Sequence, residues 1–130
     1  MITPTPIHSY TFSKHERLCS ATAIEALFTT GISKNARPLK LIYQPNTDTS
    51  NKIVIVVPKR NFKRANKRNV LKRRLREAYR LHKHLLNDVQ PKYNIAILFI
   101  AREETDYVTI EKSTIELLQH LSTVLPIVVS

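Results

Sequence analysis

The sequence predicts an α+β fold of two layers, in which helices cover a small mixed sheet and the elements follow the order α-β-β-α-β-α. Three segments with amphipathic helical spacing, two short runs of β-branched residues and one near-continuous apolar run indicate this arrangement. At 130 residues, 42% of them hydrophobic, the chain can build one core, so residues 1–130 are predicted to form a single domain. Residues 1–9 and 126–130 are expected to be extended or flexible tails.

The first helix is predicted over residues 14–29, because Ser13 and Glu16 have the spacing of a capping box. Apolar side chains then recur at helical spacing as far as Phe28. Gly31, the only glycine of the chain, is expected to end the helix. The segment is therefore expected to pack one apolar side on the sheet.

Three strands are predicted from short apolar segments. Residues 38–44 and 52–57 are expected to form two antiparallel strands separated by a polar loop, and Pro58 closes the second strand because it lacks an amide hydrogen. Residues 93–101 are almost continuously apolar, which is typical of a strand buried on both faces.

A long helix is predicted over residues 64–87, which contain no proline or glycine. At about 100° per residue, Leu71, Leu75 and Leu86 fall on one face. Polar and basic residues form a stripe roughly opposite to it: Asn69, Lys72, Arg73, Arg76 and Arg80. Residues 109–125 form the last predicted helix, with its leucines facing inward.

Positive charge is concentrated in one short stretch of the chain. The formal net charge is +11, and 11 of the 21 lysines and arginines lie between Lys59 and Arg80, where Glu77 is the only acid. The rest of the chain carries a net charge of +1. A solvated helix face interleaves acids with bases, whereas this stretch repels itself unless a polyanion binds to it. The pattern favours an RNA-binding surface that neutralises phosphates.

Composition also excludes several classes of protein. The longest apolar run, near residues 95–101, is far shorter than the ~20 residues that span a bilayer, and residues 1–10 lack the features of a secretory signal. The single cysteine, Cys19, cannot form an internal disulfide, and no cysteine–histidine spacing predicts a zinc site. We therefore expect a soluble cytoplasmic protein with no membrane partner.

Three segments match the signature of a known family. They are Val57-Pro58-Lys59-Arg60, Phe62-Lys63-Arg64-Ala65 and the run from Arg68 to Arg80. Together they resemble the bacterial ribonuclease P protein family, in which a basic pair ends a strand and the next helix carries Arg-Asn-Arg, Lys-Arg and Arg-Glu. Val70 stands at the third position of Arg-Asn-Arg, and Ile24 stands where many relatives have an aromatic residue. The contacts carried by those two positions in the family are therefore not expected here.

The resemblance implies the protein subunit of an RNA-based endoribonuclease that removes the 5′ leader from precursor tRNA. The implied partners are the ribonuclease P RNA subunit and the precursor tRNA leader, with no obligate protein partner. The resemblance also implies a left-handed β-α-β crossover, which is rare. It places catalysis on magnesium ions held by the RNA, so no catalytic residue, metal ligand or protein-bound cofactor is predicted in this chain.

Two RNA-binding surfaces follow from the charge pattern and the resemblance together. The first is a docking face for the RNA subunit. It comprises Lys59, Arg60, Lys63, Arg68, Asn69, Lys72, Arg73, Arg76 and Arg80. The second is a cleft between the first helix and the sheet for the single-stranded leader, with Phe12, Phe28 and Lys40 as candidates. Aromatic rings stack on unpaired bases, and a lysine can pair with a phosphate.

Other interpretations of the same residues stay open. A basic helix also suits a ribosomal or RNA-chaperone-like protein, or a DNA-binding module that inserts the helix into the major groove. The motif of residues 57–80 disfavours both, because neither requires that array. Glu103, Glu104 and Asp106 could bind magnesium, although such a cluster is more often a solvated loop. His82 falls on the apolar side of its helix and is expected to pack there.

Overall fold

A four-stranded mixed sheet with three α-helices is formed by the residues that the computed structural model describes, which are 16–47, 50–87, 89 and 91–123. The helices are α1 (Ala21–Thr30), α2 (Ala65–His82) and α3 (Tyr107–Thr123). The strands are β1 (Ile32–Ala36), β2 (Leu39–Pro45), β3 (Lys52–Val56) and β4 (Tyr93–Phe99), and a short 3₁₀-helix spans Lys83–Leu86. The predicted α+β class is confirmed, while the predicted tails and Phe12 lie outside the described residues.

The first helix begins at Ala21 and not at residue 14, so its predicted start is wrong. Ser20 is the N-cap, and its hydroxyl accepts a hydrogen bond from the backbone N–H three residues on, at 3.2 Å. The carboxylate of Glu16 lies 2.6 Å from Nζ of Lys83, and Ser13 lies outside the described residues. The helix therefore starts at a serine cap, but at Ser20 and not at Ser13.

Gly31 ends α1, as predicted, but its conformation is not the reason. Its φ is −70°, which any residue adopts, and its N–H donates to the Leu27 carbonyl at 2.8 Å. A Cβ atom at this position would overlap that carbonyl oxygen and lie 2.7 Å from Cγ2 of Ile42. The close approach of the end of α1 to β2 is what requires glycine.

The strands of the sheet follow the order β1-β2-β4-β3. β2 is antiparallel to β4, with Leu41 opposite Ile97, and β3 is parallel to β4, with Ile55 opposite the same residue. The strands predicted near residues 38–44 and 52–57 do run in opposite directions, but they are not neighbours because β4 lies between them. As predicted, β4 is buried on both faces.

β1 is an additional strand that the sequence pattern does not predict. It pairs with β2 in antiparallel register at the edge of the sheet. Four of its five residues are exposed and only Ala36 is buried, so it carries no alternation of apolar and polar residues. The order of helices and strands is thus α-β-β-β-α-β-α, with one more strand than expected.

Helices lie on both faces of the sheet. The larger core lies between the sheet, α2 and α3 and contains Leu41, Leu71, Leu75, Ile97 and Leu117. A smaller core packs Leu27 of α1 against Ile42 and Ala96. Because successive residues of a strand point to opposite faces, α1 covers part of the face that α2 and α3 leave open.

The long basic helix connects two parallel neighbours, so β3, α2 and β4 form a β-α-β unit. The left-handed connection implied by the resemblance stays a prediction. His82, in the last turn of α2, packs against α3, where its Nε2 lies 2.9 Å from Oε2 of Glu111. Within the described ranges, none of the helices has both the length and the apolarity that crossing a membrane requires.

Candidate nucleic-acid interface

α2 separates its apolar side chains from its cationic ones. Leu71 and Leu75 are fully buried against the rest of the fold. The predicted stripe lies on the other side of the helix, with exposed Asn69, Arg73 and Arg76 and half-buried Lys72 and Arg80. The structure therefore brings the stripe together on one surface, as the helical period predicts.

The turn between β3 and α2 extends this surface. Lys59, Arg60 and Lys63 are exposed there, while Phe62 anchors the turn in the core. Arg68 holds the turn against the helix, because its Nη1 donates to the carbonyl oxygens of Phe62 at 2.7 Å and of Lys63 at 3.0 Å. Arg68 thus positions the other cations, and direct contact between Arg68 and RNA stays a prediction.

Glu77, the only acid within the basic stretch, is paired. Its carboxylate accepts hydrogen bonds from Arg80, from Nε at 3.1 Å and from Nη2 at 2.7 Å. The hydrogen bonds from Arg80 lower the pKa of Glu77, and the same contact raises the pKa of Arg80. Arg80, a residue of the docking face, is therefore already paired with a carboxylate of the protein, which partly neutralises its charge.

The acidic residues that follow β4 fasten their loop to the helices. Glu104 lies 3.4 Å from Nζ of Lys67 and 3.2 Å from Nη1 of Arg74. Asp106 caps α3 by accepting a hydrogen bond from the Thr109 N–H at 3.0 Å, and hydrogen bonds from Thr109 lower the pKa of Asp106. In the part of the chain that the structure describes, no group of three or more His, Cys, Asp or Glu side chains is placed to hold a metal ion.

The cations at the exposed centre of α2 differ from those at its borders. At the borders, Lys67, Arg74 and Arg80 form ion pairs with glutamates. At the centre, no ion pair formed by the described residues involves Lys72, Arg73 or Arg76. These charges stay accessible to solvent and keep their counterions. Phosphate groups that replace those counterions bind with a gain in entropy. The arrangement is that of a polyanion-binding surface.

Two of the three candidates for the leader cleft lie on the α1 side of the sheet. Phe28 is 41% exposed and follows Ile24 by one helical turn, so both are on the same side of α1. Ile24 packs against the small core beneath α1. Lys40 alternates with Leu41 of the larger core and therefore projects from the opposite face, which is the one that α1 partly covers.

Arg17 is not among the predicted site residues. It lies outside the basic stretch, yet it lines a cavity of about 440 Å³ together with Arg76 of α2. The two arginines are far apart in the sequence, so no local spacing relates them. Only the packing of the segment before α1 beside β3 brings them to one place.

Comparison with known proteins supports a single family. Residues 12–124 match the family model of Ribonuclease P. The Ribonuclease P protein component of Porphyromonas gingivalis strain ATCC 33277 is 37% identical over 112 residues, and the match covers 81% of this chain and 82% of the relative. The component of strain W83 of the same species matches equally well.

Solved structures share the fold. The RNase P protein of Thermotoga maritima matches with a TM-score of 0.69 at 24% identity, over 81% of this chain and 96% of that chain. The Staphylococcus aureus RNase P protein matches with a TM-score of 0.66 at 19% identity, over 83% of this chain and 95% of that chain. At these identities, the likeness concerns the fold.

An α+β fold that presents one cationic helix face to solvent defines a basic protein built to bind a polyanion. Within this class, the family model that matches residues 12–124 and the relative that is 37% identical both indicate one family. The chain belongs to the ribonuclease P protein family.

Proposed function

We propose that this chain is the protein component of a ribonuclease P, which binds the RNA subunit and promotes removal of the 5′ leader from precursor tRNA. The observation that carries the proposal is the exposed cationic face of α2 in a member of this family. Each cation that contacts a phosphate releases condensed counterions, so several contacts give strong, salt-sensitive binding. Membership of the family favours this function over a ribosomal or RNA-chaperone-like role.

In this proposal, the docking face binds the backbone of the RNA subunit. The exposed guanidinium groups of Arg73 and Arg76 suit phosphate, because two parallel N–H groups can donate to two phosphate oxygens. Asn69 lies beside them and can hydrogen-bond to a phosphate, a ribose or a base edge. Lys59 and Arg60 extend the same surface beyond the start of α2.

The single-stranded leader lies, in this proposal, on the α1 side of the sheet. The exposed ring of Phe28 offers a platform on which a base can stack, an interaction worth ~1–3 kcal/mol per base. Lys40 offers a charge for a phosphate at the same face. A leader bound there would add a contact between enzyme and precursor. Mature tRNA has no leader and cannot make this contact.

We assign the catalytic centre to the RNA subunit and its magnesium ions, which supply the activated water and the charge stabilisation for cleavage. The residues of this chain bind and orient RNA. Glu77, Glu104 and Asp106 already accept hydrogen bonds or ion pairs from arginine, lysine and backbone groups, which leaves them poorly placed as metal ligands. Both RNA partners belong to tRNA maturation, and we place the protein with them in the cytoplasm.

Reconstitution tests the proposed function. The protein is mixed with a bacterial ribonuclease P RNA at low magnesium concentration, and leader removal from a precursor tRNA is followed on a gel. We expect the protein to raise cleavage well above that of the RNA alone, and the protein without RNA to leave the precursor intact. Site-specific cleavage by RNA-free protein, or no effect of the protein on the RNA, contradicts the proposal.

A further inference from the structure

One end of the sheet brings together connections that are distant in the sequence. The last pair of β1 and β2 is Ala36 with Leu39, and Leu39 also lies opposite Phe99, the last residue of β4. β3 is parallel to β4 and ends beside it. The turn after β1, the loop after β4 and the turn after β3 therefore lie side by side at this end of the sheet.

Each of these three connections carries an exposed cation. Arg37 lies in the turn between β1 and β2, Arg102 lies three residues after β4, and Lys59 lies three residues after β3. Lys59 belongs to the docking face, whereas Arg37 and Arg102 lie outside the basic stretch of the sequence. The strand order places the loop with Arg102 between the other two connections. Positive charge therefore continues from the docking face along the end of the sheet.

Arg37 and Arg102 line one cavity, which has a volume of about 600 Å³. Among the described residues, no hydrogen bond or ion pair engages either guanidinium group. Glu103 and Glu104 also line the cavity, but Glu104 is already ion-paired with two cations of α2. Two guanidinium groups thus stand against the one carboxylate of Glu103. A concave site with an excess of one charge concentrates ions of the opposite charge, so this cavity favours an anion.

The backbone that carries the two arginines is held in place by hydrogen bonds. The Ile100 N–H donates to the Pro38 carbonyl at 2.8 Å, which ties the loop after β4 to the turn between β1 and β2. The Ser113 hydroxyl donates to the Arg37 carbonyl at 2.8 Å and fastens the same turn to α3. A guanidinium group of α2 donates to the Thr105 carbonyl at 2.7 Å. Because this frame is fixed before binding, less conformational entropy is lost when a ligand binds.

We propose that this cavity binds one phosphodiester group of the RNA subunit, held by Arg37 and Arg102. Guanidinium groups suit this ligand, because each can donate two parallel hydrogen bonds to phosphate oxygens. The continuity with Lys59 assigns the phosphate to the RNA subunit rather than to the leader. This inference rests on the proposed function and deepens it, since it extends the contact with the RNA subunit from α2 across the end of the sheet.

Nuclear magnetic resonance of the isolated, isotope-labelled protein tests the cavity directly. The side-chain Nε–H resonances of Arg37 and Arg102 are followed while inorganic pyrophosphate is added as the probe, and we expect both to shift. In Arg37→Ala, the shift of the Arg102 resonance should be mostly lost, because one of the two groups that hold the anion is missing. Lys34→Ala is the matched control, since it removes an exposed lysine that does not line the cavity, and it should keep the shift. An equal Arg102 shift in the two variants overturns the proposal.

Assembly with the RNA subunit tests the cavity in the complex. Arg37→Ala and Arg102→Ala should each weaken binding of the RNA subunit about tenfold, as expected for one charged hydrogen-bonded contact. Each should also reduce the dependence of log affinity on log salt by about 1. The melting temperature of both variants should equal that of the unaltered chain, because neither guanidinium group contacts the rest of the described fold. Lys34→Ala should leave the affinity unchanged, and an unchanged affinity in both arginine variants overturns the proposal.

Glu103→Gln changes the charge of the cavity in the opposite direction. It removes the carboxylate that repels a phosphate and keeps nearly the same side-chain shape. We expect this variant to bind the RNA subunit more tightly than the unaltered chain does, and in the pyrophosphate titration the Arg102 resonance should shift at a lower concentration. A weaker affinity of Glu103→Gln for both pyrophosphate and the RNA subunit overturns the proposal, since the ligand would then require the carboxylate.

Binding of precursor tRNA to the assembled holoenzyme separates the RNA subunit from the leader. The holoenzyme with Arg37→Ala, assembled at saturating protein, is compared on precursors with a long leader and with a single-nucleotide leader. The ratio of the two affinities should equal that of the unaltered holoenzyme. A loss confined to the long leader overturns the assignment to the RNA subunit. If the unaltered protein fails to assemble with the RNA, the proposed function is wrong, and the pyrophosphate result then decides whether the cavity binds an anion.

Discussion

Gly31 occupies the point where the end of α1 meets β2, and the space there does not admit a Cβ atom. We expect Gly31→Ala to lower the free energy of unfolding by about 1–3 kcal/mol, the usual cost of overpacking, as measured by urea denaturation. Thr22→Ala, at an exposed position of the same helix, should leave the midpoint almost unchanged. A midpoint for Gly31→Ala equal to that of the control would contradict the crowding at this position.

Asp106 is a second residue whose role is local and testable. Hydrogen bonds from Thr109 depress its pKa in the folded state, so its carboxylate stabilises the fold when it is charged. That contribution is complete above the ordinary aspartate pKa of about 3.9 and is lost as the pH falls through the lower folded-state pKa. We expect Asp106→Ala to lower the melting temperature at pH 7. The difference in melting temperature from the unaltered chain should shrink as the pH falls below about 3.9.

Glu103→Ala is the matched control for Asp106. It removes one negative charge from the same exposed loop, but Glu103 does not cap α3. Thermal unfolding followed by circular dichroism between pH 2 and 7 compares the two variants. A pH-dependent deficit of the same size in both variants would show that net charge, and not the cap, stabilises the fold.

At the scale of elements, the Glu16–Lys83 ion pair ties the segment before α1 to the 3₁₀-helix after α2. The two side chains are only 17% and 10% exposed, and Nζ lies 2.6 Å and 2.9 Å from the two carboxylate oxygens. Removing one partner of such a pair leaves a poorly solvated charge, whereas replacing both partners removes the charge altogether. The pair therefore fixes where the segment lies more than it adds to stability.

We expect Glu16→Gln alone to destabilise the protein more than Glu16→Gln combined with Lys83→Met. The single loss should stay below the ~3–5 kcal/mol seen when fully buried pairs are broken. Urea denaturation of the unaltered chain, both single variants and the double variant gives the coupling energy directly. If the losses of the two single variants simply add in the double variant, the residues act independently and this interpretation is wrong.

At the scale of the whole molecule, the distribution of charge matters more than its total. Lys72→Ala with Arg73→Ala should weaken assembly with the RNA subunit. The slope of log affinity against log salt should become shallower by about 1 for each phosphate that the variant no longer neutralises.

Lys34→Ala with Lys112→Ala is the charge-matched control for that test, since both lysines are exposed and lie outside the docking face. Lys92 is less suitable, because its Nζ donates to the Asn87 carbonyl at 3.0 Å and supports the end of the 3₁₀-helix. An equal loss of affinity in the control pair would mean that overall charge drives binding, and the docking face would then have no specific role.

The sequence predicts those elements that carry a pattern of apolar residues. α2 and α3 show a helical period, and β2, β3 and β4 are short apolar runs, with bounds that differ from the observed ones by a few residues. β1 carries no such signal, because four of its five residues are exposed. The order of the strands depends on contacts between residues distant in the sequence, such as Leu41 with Ile97, which no local pattern encodes.

The candidate site also has a part that a local sequence pattern predicts and a part that it does not. The stripe on α2 follows from the helical period, so the sequence places Asn69 and Arg73 correctly on one exposed surface. The period does not reveal which cations are already engaged inside the protein, as Arg68 and Arg80 are. Nor does it reveal Arg17, whose position beside α2 is a property of the tertiary fold.

The position of β4 in the sheet bears on how the protein is made. β4 is the last of the strands in the described part of the chain, yet it lies inside the sheet and is hydrogen-bonded to both β2 and β3. While a ribosome synthesises the protein, β3 lacks its partner strand, and the leucines of α2 lack much of their packing surface, until residues 93–99 leave the exit tunnel. The sheet therefore closes late, after the basic stretch has already emerged. During that interval the newly made chain exposes its cations to the surrounding cellular RNA before the fold that arranges them exists.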